Sequence, residues 1–511
     1  MSQAPTTASL WTNASLPDFP ALARDIDVDV LVVGAGITGI TTAYLLLQEG
    51  VQVALIDREK IACGDSARTT AHLTYVTDER LHQLVSRFGT DAARKFWEAG
   101  AIAIDTIERI VEEHGHDAEF VRVPGTLHAR IGQEPSRKEI EALGKDAELA
   151  QSFGFDATFV ESTVYGRMPG VRFAQQAKFH PRKYLDCLLT EIQQRGGLVF
   201  ENTVMKSVED GGPNLMTVRA NKSRIRCKYL VIATHNPLMG KKGPLTASLF
   251  QTKLALYTSY VLGARLPLGT VPEGLYWDTH DPYEYLRIEE RDNHQYAVFG
   301  GEDVKTGQER DAEAVFERLS QRLKELLPQA EIQRRWLGQV VETDDGMPYI
   351  GENEDREFIA TGFAGNGYTL GTLGALMARD KFLGRGNPWC SLLAVNRSPF
   401  HGGTWRYVQE NIDYPYYFLR DRLRRAEADS VDRVGQNEGR IVSHAGKKVA
   451  AYRDDAGQLT LLAPQCTHLK CLVKWNSADR TWDCPCHGSR FRPTGEVLSG
   501  PAEQPLQRLH E

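Results

Sequence analysis

No stretch of the 511-residue chain approaches the ~18 to 20 uninterrupted apolar residues that a membrane span needs. The opening residues, MSQAPTTASLWTNASLPDFP, lack a basic segment, an apolar segment and a twin arginine. That removes the marks of an exported precursor and predicts a cytoplasmic protein. There is no basic excess either. Sixty Lys+Arg against 67 Asp+Glu leave a net charge of −7, the wrong sign for a general nucleic-acid binder. No internal repeat is visible. Cysteine is thin over most of the length: Cys63, Cys187, Cys227 and Cys390 are scattered, and the other four fall within 21 positions near the end. A disulfide framework would spread them across the fold.

What is present is material for a large core. Apolar residues make up 41% and charged residues 25%, which excludes wholesale disorder. At ~150 residues per domain the length predicts roughly three folding units.

Near the start, DVDVLVVGAGITGITTAYLLLQEGVQVALIDRE reads as a buried strand, a glycine turn, an amphipathic helix and a second strand ending in Asp57. Gly34, Gly36 and Gly39 form GxGxxG between strand and helix. The first glycine permits the tight turn, the second lets backbone approach a pyrophosphate, and the third allows close packing of helix on strand. The helix N-terminus then offers N–H groups and a partial positive charge to phosphates. Asp57, twenty-three residues after Gly34, is placed to bind ribose hydroxyls. A dinucleotide follows, either FAD or NAD. The polar run IACGDSARTTAHLTY, with Gly64, Ser66, Arg68 and two threonines, favours FAD, whose ribityl chain and ring need extra partners. The late GFAGNGYTLG is a second glycine turn before a helix. Its N-terminus suits negative charge on a reduced flavin, and the absence of an acid-tipped strand after it weighs against a separate NAD site.

Between these segments, residues 90–115, SRKEIEALGKDAELAQSFG, HPRKYLDCLLTEIQQRGG and 313–326 read as helices, and FVRVPGTLHARI, LVFENTVMKSV, LMTVRA and RCKYLVIATH as strands. Residues 250–305 are aromatic and β-like. The first 25 residues read as an extended arm and 391–433 as a linker with one helix.

The end of the chain carries CTHLKC and CPCHGSRF. Cys466-x-His468, fifteen intervening residues and Cys484-x-x-His487 give two thiolates and two imidazoles, a set that suits zinc or a Rieske [2Fe–2S] cluster. Zinc fingers pair cysteine with cysteine and histidine with histidine. One Cys and one His from each of two loops is what a Rieske cluster needs, so the interleaving favours iron–sulfur.

GAGITG, GDSARTTAHLT, YLVIATH and WLGQVVETDDGMPYIG…FIATGFAGNGYTLG together resemble the D-amino-acid-oxidase and glycine-oxidase family of flavoproteins, over about residues 26–390. The resemblance implies an α/β (α+β) two-domain FAD oxidoreductase. Its Rossmann-like FAD domain would take about 26–105, 170–250 and 335–390, and a mixed-sheet substrate domain 106–169 and 251–334. It implies FAD contacts at Gly34, Gly36, Ile37, Thr38, Gly39, Asp57, Arg58, Ser66, Arg68, Thr69, Thr70, Ala71, Val204, Gly365, Gly367 and Tyr368. It also implies oxidation of an amine or amino acid by hydride transfer to flavin. WLGQVV places Val340 and Val341 where family members often carry Arg-Pro, so a carboxylate clamp is missing there. Arg287 in YEYLRI is a candidate substitute, and His72 a candidate neighbour of flavin or substrate.

CTHLKC and CPCHGS resemble the Rieske domains of respiratory and photosynthetic cytochrome complexes, which implies a small all-β domain at 434–511. In that family the two extra cysteines, here Cys471 and Cys486, form a disulfide, unusual in a reducing cytoplasm. Ser489 matches a serine that hydrogen-bonds a bridging sulfide. Phe491 stands where a tyrosine often donates to a ligand sulfur. Without that donor the cluster is harder to reduce, so its potential is expected below the upper end of the ~ −150 to +300 mV Rieske range.

FAD followed by a Rieske domain resembles a group of bacterial flavoproteins with the same fusion. A flavin takes electrons in pairs and the cluster carries them singly. The expected function is an amine or amino-acid dehydrogenase that passes electrons through the cluster to an external one-electron carrier or reductase. Two alternatives stand beside it: a flavin monooxygenase fed inward through the cluster, and a plain amine oxidase with a structural or sensing cluster. No two-histidine, one-carboxylate iron site is evident, which argues against a ring-hydroxylating oxygenase.

Overall fold

The computed structural model describes residues 5–212, 214–236, 253–309, 311–397 and 413–509. Residues 398–412, within the expected linker, and 250–252, at the start of the aromatic β-like segment, lie outside these.

The near-continuous apolar strands pair side by side in parallel. Ile26–Val33 lies between Ser223–Ile232 and Val53–Ile56, with Leu31 opposite Leu230 and Ala54. Leu198–Phe200 extends one edge and Glu357–Thr361 the other, both parallel. Tyr349–Glu354 and the hairpin Met205–Asp210 with Met216–Ala220 complete an eight-stranded sheet. Central parallel strands are buried on both faces, which is why these sequences are apolar throughout rather than alternating. Helices Ile37–Gln48 and Gly367–Phe382 pack against each other over this sheet. Gly371 allows that contact, since a Cβ there would stand 2.7 Å from Thr38 Oγ1. The two glycine turns therefore open side by side at one edge of the sheet, where ligands of such folds bind.

A nine-stranded mixed sheet forms the second unit. Its order runs from Glu331–Thr343 through Leu254–Leu266, His294–Lys305, Tyr285–Arg291, Gly274–Asp278, Val121–His128 and Gly170–Lys178 to His72–Leu73, and Ala157–Val160 is the ninth strand, also paired with Gly170–Lys178. Helix Ala312–Leu326 buries Val315, Phe316, Leu319 and Leu323 against it. The two-domain fold with a mixed substrate sheet is as expected. Its seams differ. Gly170–Lys178 and Glu331–Thr343 belong to the mixed sheet, so both strands carry the substrate sheet across the limits set at 170 and 335.

The last unit is all β: a three-stranded sheet (Glu438–His444, Lys447–Arg453, Leu459–Leu462) and a four-stranded one (Lys474–Asn476, Thr481–Asp483, Arg490–Phe491, Val497–Ser499). Trp482, Phe491, Leu462 and Val473 form its core around the cysteine loops. The expected linker helix spans Asp413–Leu423.

The N-terminal arm is not simply extended. Leu10–Asn13 forms a short 3-10 turn that drives Trp11 to complete burial. Its indole N–H donates to Thr69 O at 2.6 Å, its edge meets the His180 ring, and its face lies 5.0 Å from the Arg287 guanidinium. Truncation of a buried tryptophan costs about 3–5 kcal/mol. Urea denaturation of Trp11→Ala is expected to show a loss in that range; a loss within experimental scatter of zero would mean the arm is not anchored.

Candidate active site and metal centre

One cavity of about 1030 Å³ runs between the two large sheets. It exceeds the ~300–1,000 Å³ of pockets for drug-sized ligands, leaving room for a dinucleotide and a small substrate together. At one end it is lined by Gly34, Gly36, Ile37, Thr38, Asp57, Arg58, Ser66 and Val204, and farther along by Arg68, Thr69, Thr70, Gly365, Gly367 and Tyr368. Gly39 and Ala71 are not on the wall. Gly39 packs helix onto strand, a Cβ there falling 1.8 Å from Gly34 O. Ala71 is fully buried, and its carbonyl accepts from Arg287.

Hydrogen bonds shape the glycine end. Asp57 Oδ2 accepts from Ala35 N–H at 2.7 Å and Oδ1 from Glu59 N–H at 2.9 Å. Burial nonetheless pushes its carboxyl above the ordinary range. Ser66 Oγ accepts from Ile37 N–H at 3.0 Å, and Tyr368 OH donates to Ser66 O at 3.0 Å. A Cβ on Gly36 would reach within 2.9 Å of Ser66 Oγ, so glycine at this position lets the Ser66 loop close onto the turn. These residues fit FAD: two adjoining helix N-termini, backbone bare of side chains, and a carboxylate at the strand end.

The cavity also has aromatic lining, Trp97, Phe173, Trp277, Tyr283 and Tyr285, with Ser259 and Asp303 on the same wall and Tyr285 OH 2.9 Å from Ser259 Oγ. His72 is on this wall. Its Nδ1 is 2.9 Å from Thr70 Oγ1, and its ring stands edge-on to Tyr285 at 5.7 Å. Burial, with Arg287 behind it, depresses the imidazole to about 3. Arg287 is not on the wall. It is 1% exposed, donates to Thr70 O, Ala71 O and Glu289, and stacks over Trp11. The reason is burial: a desolvated guanidinium takes the carboxylate beside it, which leaves no clamp for a substrate.

In the all-β unit, Cys471 and Cys486 form a disulfide, while Cys466 and Cys484 are buried thiols. Cys484 Sγ lies within 4.8 Å of both disulfide sulfurs. The His468 and His487 rings are 5.0 Å apart. Both nitrogens of His468 are sealed from solvent with no hydrogen-bond partner among the described residues. A buried polar ring so placed calls for an acceptor of its lone pair, and a metal beside two free thiols provides one. The donor set fits a [2Fe–2S] cluster held by Cys466, Cys484, His468 and His487. Ser489 Oγ accepts from Ala502 N–H at 2.9 Å beside Cys466.

The two sites share walls. Arg490, Glu496–Gly500 and Glu503–Pro505 of the β unit line the same cavity as Gly34. Thr467, between two cluster ligands, donates to Gln504 O at 2.6 Å. Gln339, buried on the strand Glu331–Thr343, donates through Nε2 to Gly488 O at 3.0 Å and accepts from Ser499 Oγ at 2.7 Å. Gly488 directly follows His487, and Gly338 and Val340 line the cavity. Asp479 Oδ2 is 2.5 Å from both Arg68 and Arg490. Burial pushes its carboxyl up, but Arg490 and Arg68 more than offset this and hold it below the usual range. Gln339 lies within WLGQVV, where local pattern gives it no role, and Asp479 and Asp303 belong to no motif.

Comparison with known proteins agrees with this geometry. The family model described as FAD dependent oxidoreductase matches residues 29–380, and the Rieske [2Fe-2S] domain model matches 425–510. A putative Rieske 2Fe-2S iron-sulfur protein of Bacillus subtilis (strain 168) is 33% identical across 99% of this chain and 98% of its own. Gamma-glutamylputrescine oxidoreductase of Escherichia coli (strain K12) is 25% identical over 79% of this chain and 95% of its own. The solved glycine oxidase of Geobacillus kaustophilus shares the fold, with a TM-score of 0.59 and 16% identity over 73% of this chain and 99% of that one.

The placement of His72 carries a pH signature. The unfolded chain protonates a histidine near ~6.5, while the folded chain holds it neutral down to about 3. Its contribution to stability is therefore full above pH ~6.5 and declines as pH falls toward 3. Imidazole NMR of labelled protein is expected to show no His72 titration between pH 5 and 8, and a midpoint near 6.5 would place it in water instead.

Proposed function

Because this chain belongs to the FAD dependent oxidoreductase family and carries a Rieske [2Fe-2S] domain, we propose that it is an amine or amino-acid dehydrogenase whose electrons leave through the Rieske domain to an external one-electron acceptor. Bound FAD supplies a two-electron acceptor for the C–H beside nitrogen, and the cluster supplies a one-electron carrier. In each turnover the amine loses two electrons and two protons to become an imine, two acceptor molecules take one electron each, and water releases carbonyl and ammonia.

The chain's own residues have definable parts in this reading. The turns at Gly34–Gly36 and Gly365–Gly367 would present backbone bare of side chains and helix-end charge to the cofactor. The aromatic walls exclude water from the reacting bond. The neutral His72 offers an uncharged edge to the same chamber. The observation that supports passage through the Rieske domain is the bridge at Gln339, one side chain joining the cavity strand to the residue after a cluster ligand. An oxidase delivering electrons to oxygen has no need of that contact.

Anaerobic rapid mixing with amines and amino acids tests the proposal. Bleaching of the flavin band followed by a reduced-cluster electron paramagnetic resonance signal is expected; bleaching with no later cluster reduction would falsify it. Gln339→Leu loses hydrogen bonds of ~0.5–1.5 kcal/mol each. It is expected to slow the second phase about tenfold or more while sparing the first.

Phe491 is fully buried in the same core as Cys466 and Cys484. With no hydroxyl to donate to a sulfur, it supports a potential below the top of the Rieske range. Phe491→Tyr is expected to raise the midpoint on the order of tens of millivolts in a redox titration, and an unchanged midpoint would remove Phe491 from the account.

A further inference from the structure

The aromatic end of the cavity is anionic. Asp78, Asp278 and Asp303 all line it. Asp78 is engaged, accepting from Tyr283 OH at 3.2 Å and from Gly365 N–H at 3.1 Å. Asp278 Oδ1 accepts from the backbone N–H groups of His280 and Glu284, while its Oδ2 is sealed from solvent with no hydrogen-bond partner among the described residues. Asp303 is in the same state, and it is tied into a side-chain network on the wall. Ser259 hydrogen-bonds its carboxylate on one side and Tyr285 OH, at 2.9 Å, on the other. Asp303 Oδ1 is sealed from solvent and has no hydrogen-bond partner among the described residues.

A buried acceptor left in that state is costly, by ~1–3 kcal/mol and more when charged, and a donor arriving in the cavity recovers the loss. The donor that fits is a cation. Tyr283, Tyr285 and Trp277 line the same cavity, and aromatic rings attract positive charge. Among the described residues, the arginines nearest this end are already engaged. Arg80, the arginine beside Asp78 on this wall, is held by Asp146 at 2.6 Å. Arg287 is shut behind the wall on Glu289. Val340, on the cavity wall at the position of the missing arginine, brings no charge.

We propose that the cavity takes an amine that enters as an ammonium ion and carries no carboxylate, with Asp303 Oδ1 accepting an N–H of that ammonium. The choice of substrate class rests on the reading of the protein as an amine or amino-acid dehydrogenase. The anchoring carboxylate does not depend on turnover. A charge-assisted hydrogen bond in a closed site is about twice as strong as a neutral one, and a tenfold change in affinity corresponds to ~1.4 kcal/mol.

The test uses the full-length holoenzyme and two probes that lack the C–H needed for oxidation: tert-butylammonium, and 2-amino-2-methylpropanoate, which replaces one methyl by a carboxylate. Calorimetric titration is expected to show tert-butylammonium binding about tenfold or more tighter. Asp303→Asn is expected to weaken it by about tenfold or more, with Asp303→Glu restoring part of the loss and the flavin spectrum reporting intact cofactor binding in both. Tighter or equal binding of the amino acid, or tert-butylammonium binding alike to wild type and Asp303→Asn, overturns the proposal. If tert-butylammonium binds as expected and no amine or amino acid bleaches the flavin, the cation site stands and the dehydrogenase reading falls. If amino acids bleach the flavin and the cation does not bind, the reverse holds.

Discussion

Asp479 carries a charge that the fold could not bury alone. It lies between Arg68, from the loop that follows the strand Val53–Ile56, and Arg490, from the strand that follows the second cluster loop. Arg490 also faces Asp483 at 3.3 Å, so the buried charges are shared over a network, and breaking such a network costs more than its net contribution suggests. The triad constrains position. Arg68 also donates to Leu337 O, and Trp336 donates to Arg68 O, so the loop that shapes the cofactor cavity, the strand bearing Gln339 and the Rieske unit are fixed as one arrangement.

Around that junction the molecule is built by close approach. A Cβ on Gly307 would fall 2.7 Å from the Cys484 carbonyl carbon, and one on Gly488 would fall 2.6 Å from Leu256 Cβ. Both glycines have positive φ. The substrate sheet therefore reaches the cluster loops without intervening side chains. The strand His294–Lys305 runs from Asp303 in the chamber to the loop at Gly307 within a few residues, and Glu331–Thr343 carries Gln339 and Val340 on opposite sides in the same way. Two strands of one sheet thus border both redox sites.

The parts of this plan written in local pattern were legible in the chain. GAGITG between two apolar runs and the CxH…CxxH pair each compress a candidate site into a few neighbouring residues, the first on a strand–helix turn and the second on two loops of the β unit. What long-range pairing decides was not legible. Arg287 sits in a strand among tyrosines and invites a substrate role. Its partner Glu289, two residues on and so on the same strand face, was a signal of internal pairing. Trp11 sits in a polar arm with nothing local to bury it, and its burial depends on Thr69 and Arg287. Asp303 and Gln339 acquire meaning only from Ser259, Tyr285, Gly488 and Ser499, all distant in sequence. The strands at 170 and 331 cross the expected seams because sheet membership is set by neighbours rather than by composition.

The wall shared by the two ends of the chain also sets an order of events in biosynthesis. The glycine turn at Gly34 emerges early from the ribosome, whereas Glu503–Pro505, which close the same chamber, are translated hundreds of codons later. A nucleotide captured by the nascent amino-terminal half would face open water along one flank. The chamber is therefore complete only when the carboxyl-terminal segment has docked, the last-made part of the polypeptide closing what the first-made part opens.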